Sequence, residues 1–317
     1  RKRPLKKANR KRNVKNYIKL IAPAKVNLVL AVGDTREDGF HSVDTIMHAL
    51  ALHDVLEMYH YDAEDEGTGL VVRITSELDD GVDLDIPVEE NIIYRAVTLL
   101  AEEIGRKEDE EIRVTLVKHI PSEAGLGGGS SDAAAALHGA ALMWGVSLDD
   151  ERLLNVAKRL GADVAFFLQG GCAYLNGKGD AVVKTLVPRK DFCVLVRPGV
   201  GISTKSAYEA FDKNPVEVTQ EYRKSLSELD EASEVELWNN MAQASESLCE
   251  ELRVMREWLE TNFKENDAVL CGSGSAMCVI CSTYDEAVAV SVSAQREGYW
   301  TRVSSLTRVG AQVVESF

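Results

Sequence analysis

Apolar positions recur along this chain with two periods, near two and near 3.6, and their alternation predicts a mixed α and β protein. Residues 17–32 surround Ala22-Pro23-Ala24-Lys25 with strand-forming side chains and read as a strand pair or one long strand. A turn cluster at 34–39 is followed by an apolar run at 45–56 that continues into a strand at 54–61. An acidic loop at 62–69 leads to a strand at 70–75. Ile92, Ile93, Ala96, Leu99 and Leu100 share one helical face in 91–104, and the alternation of Ile112, Val114 and Leu116 predicts a strand over 111–119. An alanine-rich helix is predicted at 132–144, and another at 148–160, stopped by Gly161. Beyond it, 192–197 reads as a strand, 203–211, 216–229 and 234–263 as helical, and 268–271 and 276–281 as strands around Gly272-Ser273-Gly274-Ser275. A helix at 284–297 and strands at 299–304 and 311–315 close the chain. There is no internal repeat, and a change of domain is expected near 170–190, with a mixed α and β half on each side.

The 317 residues suffice for one large or two ordinary domains, and 45% hydrophobic with 27% charged residues is normal for a soluble protein. No apolar run approaches the roughly 18–20 residues of a membrane span. The first nineteen residues hold ten Lys or Arg, so no hydrophobic signal segment is expected there. A nucleic-acid or membrane tether and a targeting peptide are alternatives for this stretch. It lacks the serines and the apolar face of a transit peptide, so residues 1–18 are expected to be a disordered basic tail. The net charge is −15, and without those ten cations the body carries about −25. Such a body repels polyanions, so neither nucleic acid nor a membrane is expected as its partner. A phosphate-bearing substrate would need a local positive pocket and a metal ion. Cys278 and Cys281 form a C-x-x-C within an apolar strand, where an offset of three sends the two thiols to opposite faces, a poor chelate. Six buried structural thiols in a reducing cytoplasm are the expectation.

The strongest chemical signal is Pro121-Ser122-Glu123-Ala124-Gly125-Leu126-Gly127-Gly128-Gly129-Ser130-Ser131-Asp132, set between a strand and a helix. Four glycines in five positions let backbone approach an anion, and a helix N-terminus supplies unpaired N–H groups for phosphate. A capped flexible linker is the competing reading, although linkers seldom join a strand so tightly to an alanine-rich helix. The loop is not a Walker A motif, having no Gly-Lys-Ser/Thr, and its glycine spacing does not match a dinucleotide fingerprint. Neither H-R-D nor D-F-G occurs, so it is not a protein kinase. A second candidate is Lys25 inside the apolar segment 22–28, a lysine that must snorkel or meet a negative partner. A third is Asp163 in Leu160-Gly161-Ala162-Asp163-Val164-Ala165-Phe166-Phe167, either a helix cap or turn residue, or a carboxylate carried into a half-buried place. A Lys–Asp pair beside a phosphate loop makes chemical sense for transfer to a hydroxyl, the Asp receiving or orienting its proton.

These three segments together resemble the GHMP kinase superfamily. Asp38-Gly39-Phe40-His41 and the segment 161–167 further resemble its branch acting on the cytidine ester 4-diphosphocytidyl-2-C-methyl-D-erythritol, in isoprenoid precursor synthesis, and the similarity extends through Pro198-Gly199-Val200 and Gly272–Ser275. The similarity runs from about Lys19 to the C-terminus. It implies an α+β fold of two domains, an N-terminal one like ribosomal protein S5 over 19–180 and a ferredoxin-like one over 181–317, with the site between them. It also implies an ATP-dependent kinase using Mg²⁺, acting as a cytoplasmic monomer or homodimer. Lys25 and Asp163 would be the catalytic pair. Pro121, Ala124, Gly125, Leu126, Gly127, Gly128, Gly129, Ser130 and Ser131 would wrap the ATP phosphates, with Ser130 at the metal. Asn27 would contact substrate, Phe40 and His41 would meet the cytosine, and Tyr208 would close over its other face. Gly272, Ser273, Gly274 and Ser275 would line the cleft near the transferred phosphate. Phe40 stands where the family usually has Tyr, Ala165 where Pro is common, and the basic tail has no family counterpart. A related kinase for another small alcohol and a non-catalytic ligand sensor remain the competing functions.

Overall fold

Two 22-residue strands, β1 (Val14–Thr35) and β2 (His41–Asp62), pair antiparallel along nearly their whole length and form the spine of the computed structural model, which describes residues 13–78 and 87–317. Residues 14–18 therefore belong to β1 rather than to a disordered tail: Val14, Asn16, Tyr17 and Ile18 pair with β2, and Ile18 also with the chain's last strand; residues 1–12 lie outside the described residues. Next come β3 (Leu70–Leu78), a 3-10 turn (Val88–Glu90), α1 (Ile92–Glu103), β4 (Glu110–Lys118), α2 (Gly128–Met143), α3 (Glu151–Leu160), α4 (Val164–Gln169), β5 (Cys172–Asn176) and β6 (Ala181–Leu186). The remainder contains β7 (Phe192–Arg197), α5 (Thr204–Phe211), α6 (Gln220–Glu228), a 3-10 turn (Ala232–Glu234), β8 (Trp238–Asn239), α7 (Ala242–Leu248), α8 (Glu250–Asn262), β9 (Ala268–Leu270), β10 (Met277–Cys281), α9 (Tyr284–Arg296), β11 (Trp300–Ser305) and β12 (Gln312–Ser316).

The larger sheet runs β12-β1-β2-β4-β3, with β5 and β6 added along the first half of β2 and β8 along β1. A four-stranded sheet, β11-β7-β10-β9, lies beside it. A division after residue 180 would cut the β5–β6 hairpin, and β8 and β12 return to the first sheet, so strand pairing does not follow the expected boundary. The second half of β2 alternates buried and part-exposed residues because only one face is covered, whereas 22–32 of β1 are buried on both faces.

Helix boundaries follow local chemistry where side chains cap them. Asn91 and Asp150 accept from the backbone N–H groups of Ile93 and Arg152 and start α1 and α3. Gly161 ends α3 after a last turn carrying Lys158 and Arg159. α2 is buried nearly all round and starts at Gly128, four residues before the expected position, so its first turn is built from the glycine segment itself. The expected helical stretch 234–263 is broken: Trp238–Asn239 extends to pair with β1, and Cys249 takes an extended conformation between α7 and α8. Cys278 and Cys281 are both buried on β10 and pack into two different apolar clusters, on opposite sides of the second sheet. Among the described residues, no helix is long and apolar enough to cross a membrane.

Candidate active site

The cleft begins at an irregularity in β1. Pairing with β2 slips between Pro23 and Lys25, so that Pro23 opposes His53 while Lys25 opposes Ala49. In the gap the N–H of Lys25 donates to the carbonyl of Leu126 in the glycine segment, 3.0 Å away. The bulge thus joins β1 directly to the glycine segment and turns Lys25 and Asn27, two residues apart on one face, into the same cavity. That cavity, about 560 Å³, is lined by β1, β2, the loop, Asp163, Tyr208 and the Gly272–Ser273 turn.

Lys25 is 4% exposed, and its Nζ donates to Asn27 Oδ1 at 2.5 Å and lies 3.9 Å from Asp163 Oδ2. The direction of the rest follows from the inventory of donors. An ammonium has no acceptor, so Asn27 must present its oxygen to Lys25 and its amide N–H to Thr45 Oγ1, at 2.8 Å. Thr45 then spends its own proton on the Val29 carbonyl, at 2.6 Å. Asn27 is 2% exposed and acts here as the orienting group of Lys25. Asp163 precedes α4 without capping it; its half-buried carboxylate faces Lys25 instead. Tyr208 lines the same cavity, and burial, followed by the charge of Asp163, pushes its phenol up to about 12.

The glycine segment is stitched to the other half of the protein. The N–H groups of Ser275 and Ile202 donate to the carbonyl of Glu123, and that of Ala276 donates to Ala124. A Cβ on Gly125, whose φ is +76°, would lie 1.7 Å from the Cys271 carbonyl oxygen. Gly127, also left-handed, sits against the Phe167 ring and the stem of Lys25. By contrast a Cβ on Gly129 meets nothing, so that position opens into the cleft at the N-terminus of α2.

Several expected site residues separate at this level. Pro121, Ala124–Ser130, Gly272 and Ser273 all line the cavity. Ser131 does not: one position further round α2, it points into the core, where its hydroxyl is fully buried without a partner. Gly274 packs on Ile202, Leu270 and Leu252, and Ser275 is fully buried, with its Oγ donating to Val200 at 2.6 Å, so both hold the turn rather than line the cleft. Phe40 is 57% exposed and outside the cavity wall, under the ammonium of Lys178 at 4.9 Å from its ring centre. His41 packs its ring on Tyr208, at 5.3 Å, and its two nitrogens face the Gly33 carbonyl and the Asp212 carboxylate at 2.8 and 3.1 Å.

A buried charge cluster escaped the sequence reading. Lys118, at the end of β4, lies beneath Gly128 and bonds both Asp54 and Asp132, the latter at 2.8 Å. Asp54 also accepts from the N–H groups of His119 and Ile120, at 2.6 and 2.8 Å, and so fixes the chain entering the loop. Burial pushes the Asp132 carboxyl well above the usual carboxylate range; burial alone would depress Lys118, but the two carboxylates hold it raised. The only hint in the sequence was the acidic residue closing the serine pair, since strand alternation says nothing about partners 64 residues away.

Residues 91–171 match the GHMP kinases N terminal domain. A protein of Rhodococcus jostii named 4-diphosphocytidyl-2-C-methyl-D-erythritol kinase is 33% identical over 306 residues, 92% of this chain and 94% of that protein. A protein of the same name from Caldicellulosiruptor bescii is 31% identical over 82% of this chain and 88% of its own.

This chain belongs to the GHMP kinase family.

The fold of this GHMP kinase agrees. A crystal structure of a 4-(cytidine 5'-diphospho)-2C-methyl-D-erythritol kinase superposes with a TM-score of 0.70 at 29% identity, covering 92% of this chain and all of the other. A homoserine kinase from Cytophaga hutchinsonii gives the same TM-score at 20% identity, a likeness of fold alone.

Proposed function

We propose that this GHMP kinase transfers the γ-phosphoryl group of ATP to the 2-hydroxyl of 4-diphosphocytidyl-2-C-methyl-D-erythritol. The observation that carries the catalytic assignment is the Lys25–Asp163 pair, 3.9 Å apart in the one cavity that the open N-terminus of α2 also lines. The relatives named for this reaction span nearly the whole chain and support the choice of substrate.

In this reading the triphosphate lies along Gly125–Ser130, where backbone N–H groups and the helix dipole meet its charge. The substrate hydroxyl sits between Asp163 and the γ-phosphorus. Its oxygen forms the new bond to phosphorus as its proton passes to the Asp163 carboxylate and the bond to the β-phosphate oxygen breaks, releasing ADP. Lys25, held by Asn27 and Thr45, keeps Asp163 in place and meets the charge on the transferred group. The Tyr208 phenol stays protonated beside Asp163 and is available as a donor. Magnesium fits this cleft, because it keeps most of its ligands as water and phosphate and asks little more of the protein than an oxygen such as Ser130 Oγ. When bound with the nucleotide it neutralises phosphate charge. Six buried free thiols suit the reducing cytoplasm, the compartment we assign.

ATP consumption with Mg²⁺ and the cytidine substrate, set against mevalonate, homoserine and galactose, tests the reading. Turnover of the cytidine compound alone is expected, and turnover of another alcohol instead would discard the substrate. Asp163→Asn should lower kcat by about 10²–10⁴ while ATP still binds. Near-normal turnover in that variant would remove Asp163 from proton transfer.

A further inference from the structure

We propose that Asn239 is a positioning residue for phosphoryl transfer. From outside the cavity it holds the Gly272–Ser273 peptide with its carbonyl turned away from Lys25 and its N–H turned into the cleft. This rests on the kinase reading above. Asn239 follows Trp238 on β8 and is 8% exposed. Its Nδ2 donates to the carbonyls of Leu270 and Gly272, each at 2.8 Å, and its Oδ1 accepts from the N–H of Met241 at 2.9 Å. It lines a second cavity, of about 240 Å³, between β8, α8 and β9, and not the catalytic one. The Gly272 carbonyl is therefore held toward the rear of the turn. Ser245 Oγ holds the next carbonyl, that of Ser273, at 3.0 Å.

A trans peptide points its N–H opposite to its C=O. The bond to Asn239 therefore sends the Ser273 N–H toward the catalytic cavity, which Gly272 and Ser273 both line. Among the described residues that N–H meets no acceptor. The Gly274 N–H donates to the Cys271 carbonyl at 2.8 Å and closes the turn, and in a turn so closed the central peptide can rotate while the ends stay paired. Gly272, with a φ of +53° and no side chain, resists that rotation little. The rotated peptide would present its carbonyl beside Lys25, since a Cβ on Gly272 would lie only 3.2 Å from Nζ. There it would draw the ammonium from Asp163 and oppose the charge of a phosphate, whereas the N–H held by Asn239 meets that charge favourably. Rotation would also strip Asn239 of a buried acceptor, so the asparagine keeps the peptide in one orientation.

Asn240 supplies a matched control. It is 4% exposed and equally well bonded, donating to the carbonyls of Val32 and Val216 at 2.7 and 2.9 Å and accepting from the Val32 N–H at 2.9 Å, away from the turn. Asn239→Ala and Asn240→Ala should therefore lower the urea midpoint by similar amounts. In steady-state kinetics with ATP, Mg²⁺ and the cytidine substrate, kcat should fall about ten- to a hundredfold in Asn239→Ala, with the KM for ATP changed less than about threefold. In Asn240→Ala kcat should stay within about threefold. Equal falls of kcat in the two variants would make Asn239 a structural residue only and overturn the proposal. So would an unchanged kcat in Asn239→Ala. Should that variant not fold, Ser245→Ala, which frees only the Ser273 carbonyl, reads the same turn: its kcat should fall about threefold or more, and an unchanged value overturns the proposal. If the unaltered protein phosphorylates none of the alcohols named above, the kinase reading itself falls, and this proposal with it, a result distinct from the others.

Discussion

Gly125 and Gly129 stand four residues apart in one loop, yet the structure gives them opposite reasons for being glycine, and substituting each by Ala separates the two. At Gly125 a methyl group would lie 1.7 Å from the Cys271 carbonyl oxygen, about 1.5 Å inside ordinary contact. The left-handed φ of +76° adds about 1–2 kcal/mol for any residue with a Cβ. Relief requires the loop to leave the Gly272 turn, which strains the bonds from Ser275 and Ala276 to Glu123 and Ala124, worth about 1 kcal/mol each. Gly125→Ala should therefore lose about 3–4 kcal/mol, on the order of 10 °C in melting temperature for a chain of this size. At Gly129 nothing lies within 4 Å and the backbone is helical, so Ala should leave stability unchanged or raise it by up to about 1 kcal/mol. Its methyl group would, however, occupy the space through which backbone approaches phosphate, and the KM for ATP should rise at least about tenfold. Differential scanning calorimetry and ATP-dependent kinetics on the two variants give the comparison. Equal losses of melting temperature, or an unchanged KM for ATP in Gly129→Ala, would refute the assignment of the loop's open face to the nucleotide.

Two further outcomes concern residues that support the site from behind. Asp54→Ala leaves the Lys118 ammonium with Asp132 alone, strands the N–H groups of His119 and Ile120, and should cost about 3–5 kcal/mol in urea unfolding; Asp54→Asn, which retains an acceptor for the backbone, should lose less. Equal losses would mean that the charge of Asp54 contributes nothing. His48 is fully buried; its Nδ1–H donates to Ala49 and its Nε2 accepts from the N–H of Arg189, and burial lowers its pKa to about 4. Because the unfolded imidazole takes up a proton near pH 6.5 and the folded one only near 4, acid favours the unfolded chain. Stability should fall by about 3 kcal/mol as pH drops across that window. Urea midpoints measured from pH 7 to pH 4 should show this slope and should show it flattened in His48→Gln; an unchanged slope in the variant would assign it to other groups.

What the sequence determined by itself was local. Alternation at 112–116, helical spacing at 92–100 and the stop at Gly161 are decided by neighbours within a turn or two, so they survive into the structure where they were read. The glycine segment was legible as a bend for the same reason: a strand end, a run of glycines and a helix N-terminus are all set by nearby residues. Lys25 and Asp163 could be named as candidates, yet 138 residues separate them. Their approach depends on the slip in β1–β2 pairing at Pro23 and on the bond from Lys25 to Leu126. Only the tertiary structure decided which hydroxyl of the Ser130–Ser131 pair faces the cleft, because a 100° step around α2 puts one in the cavity and the other in the core. It likewise made Ser275 a staple to Val200, drew Trp238 out of a helical stretch into the first sheet, and set the ammonium of Lys178 over the Phe40 ring. Local spacing sets which way a side chain leaves its own backbone, whereas what it meets there is set by segments far away in the chain.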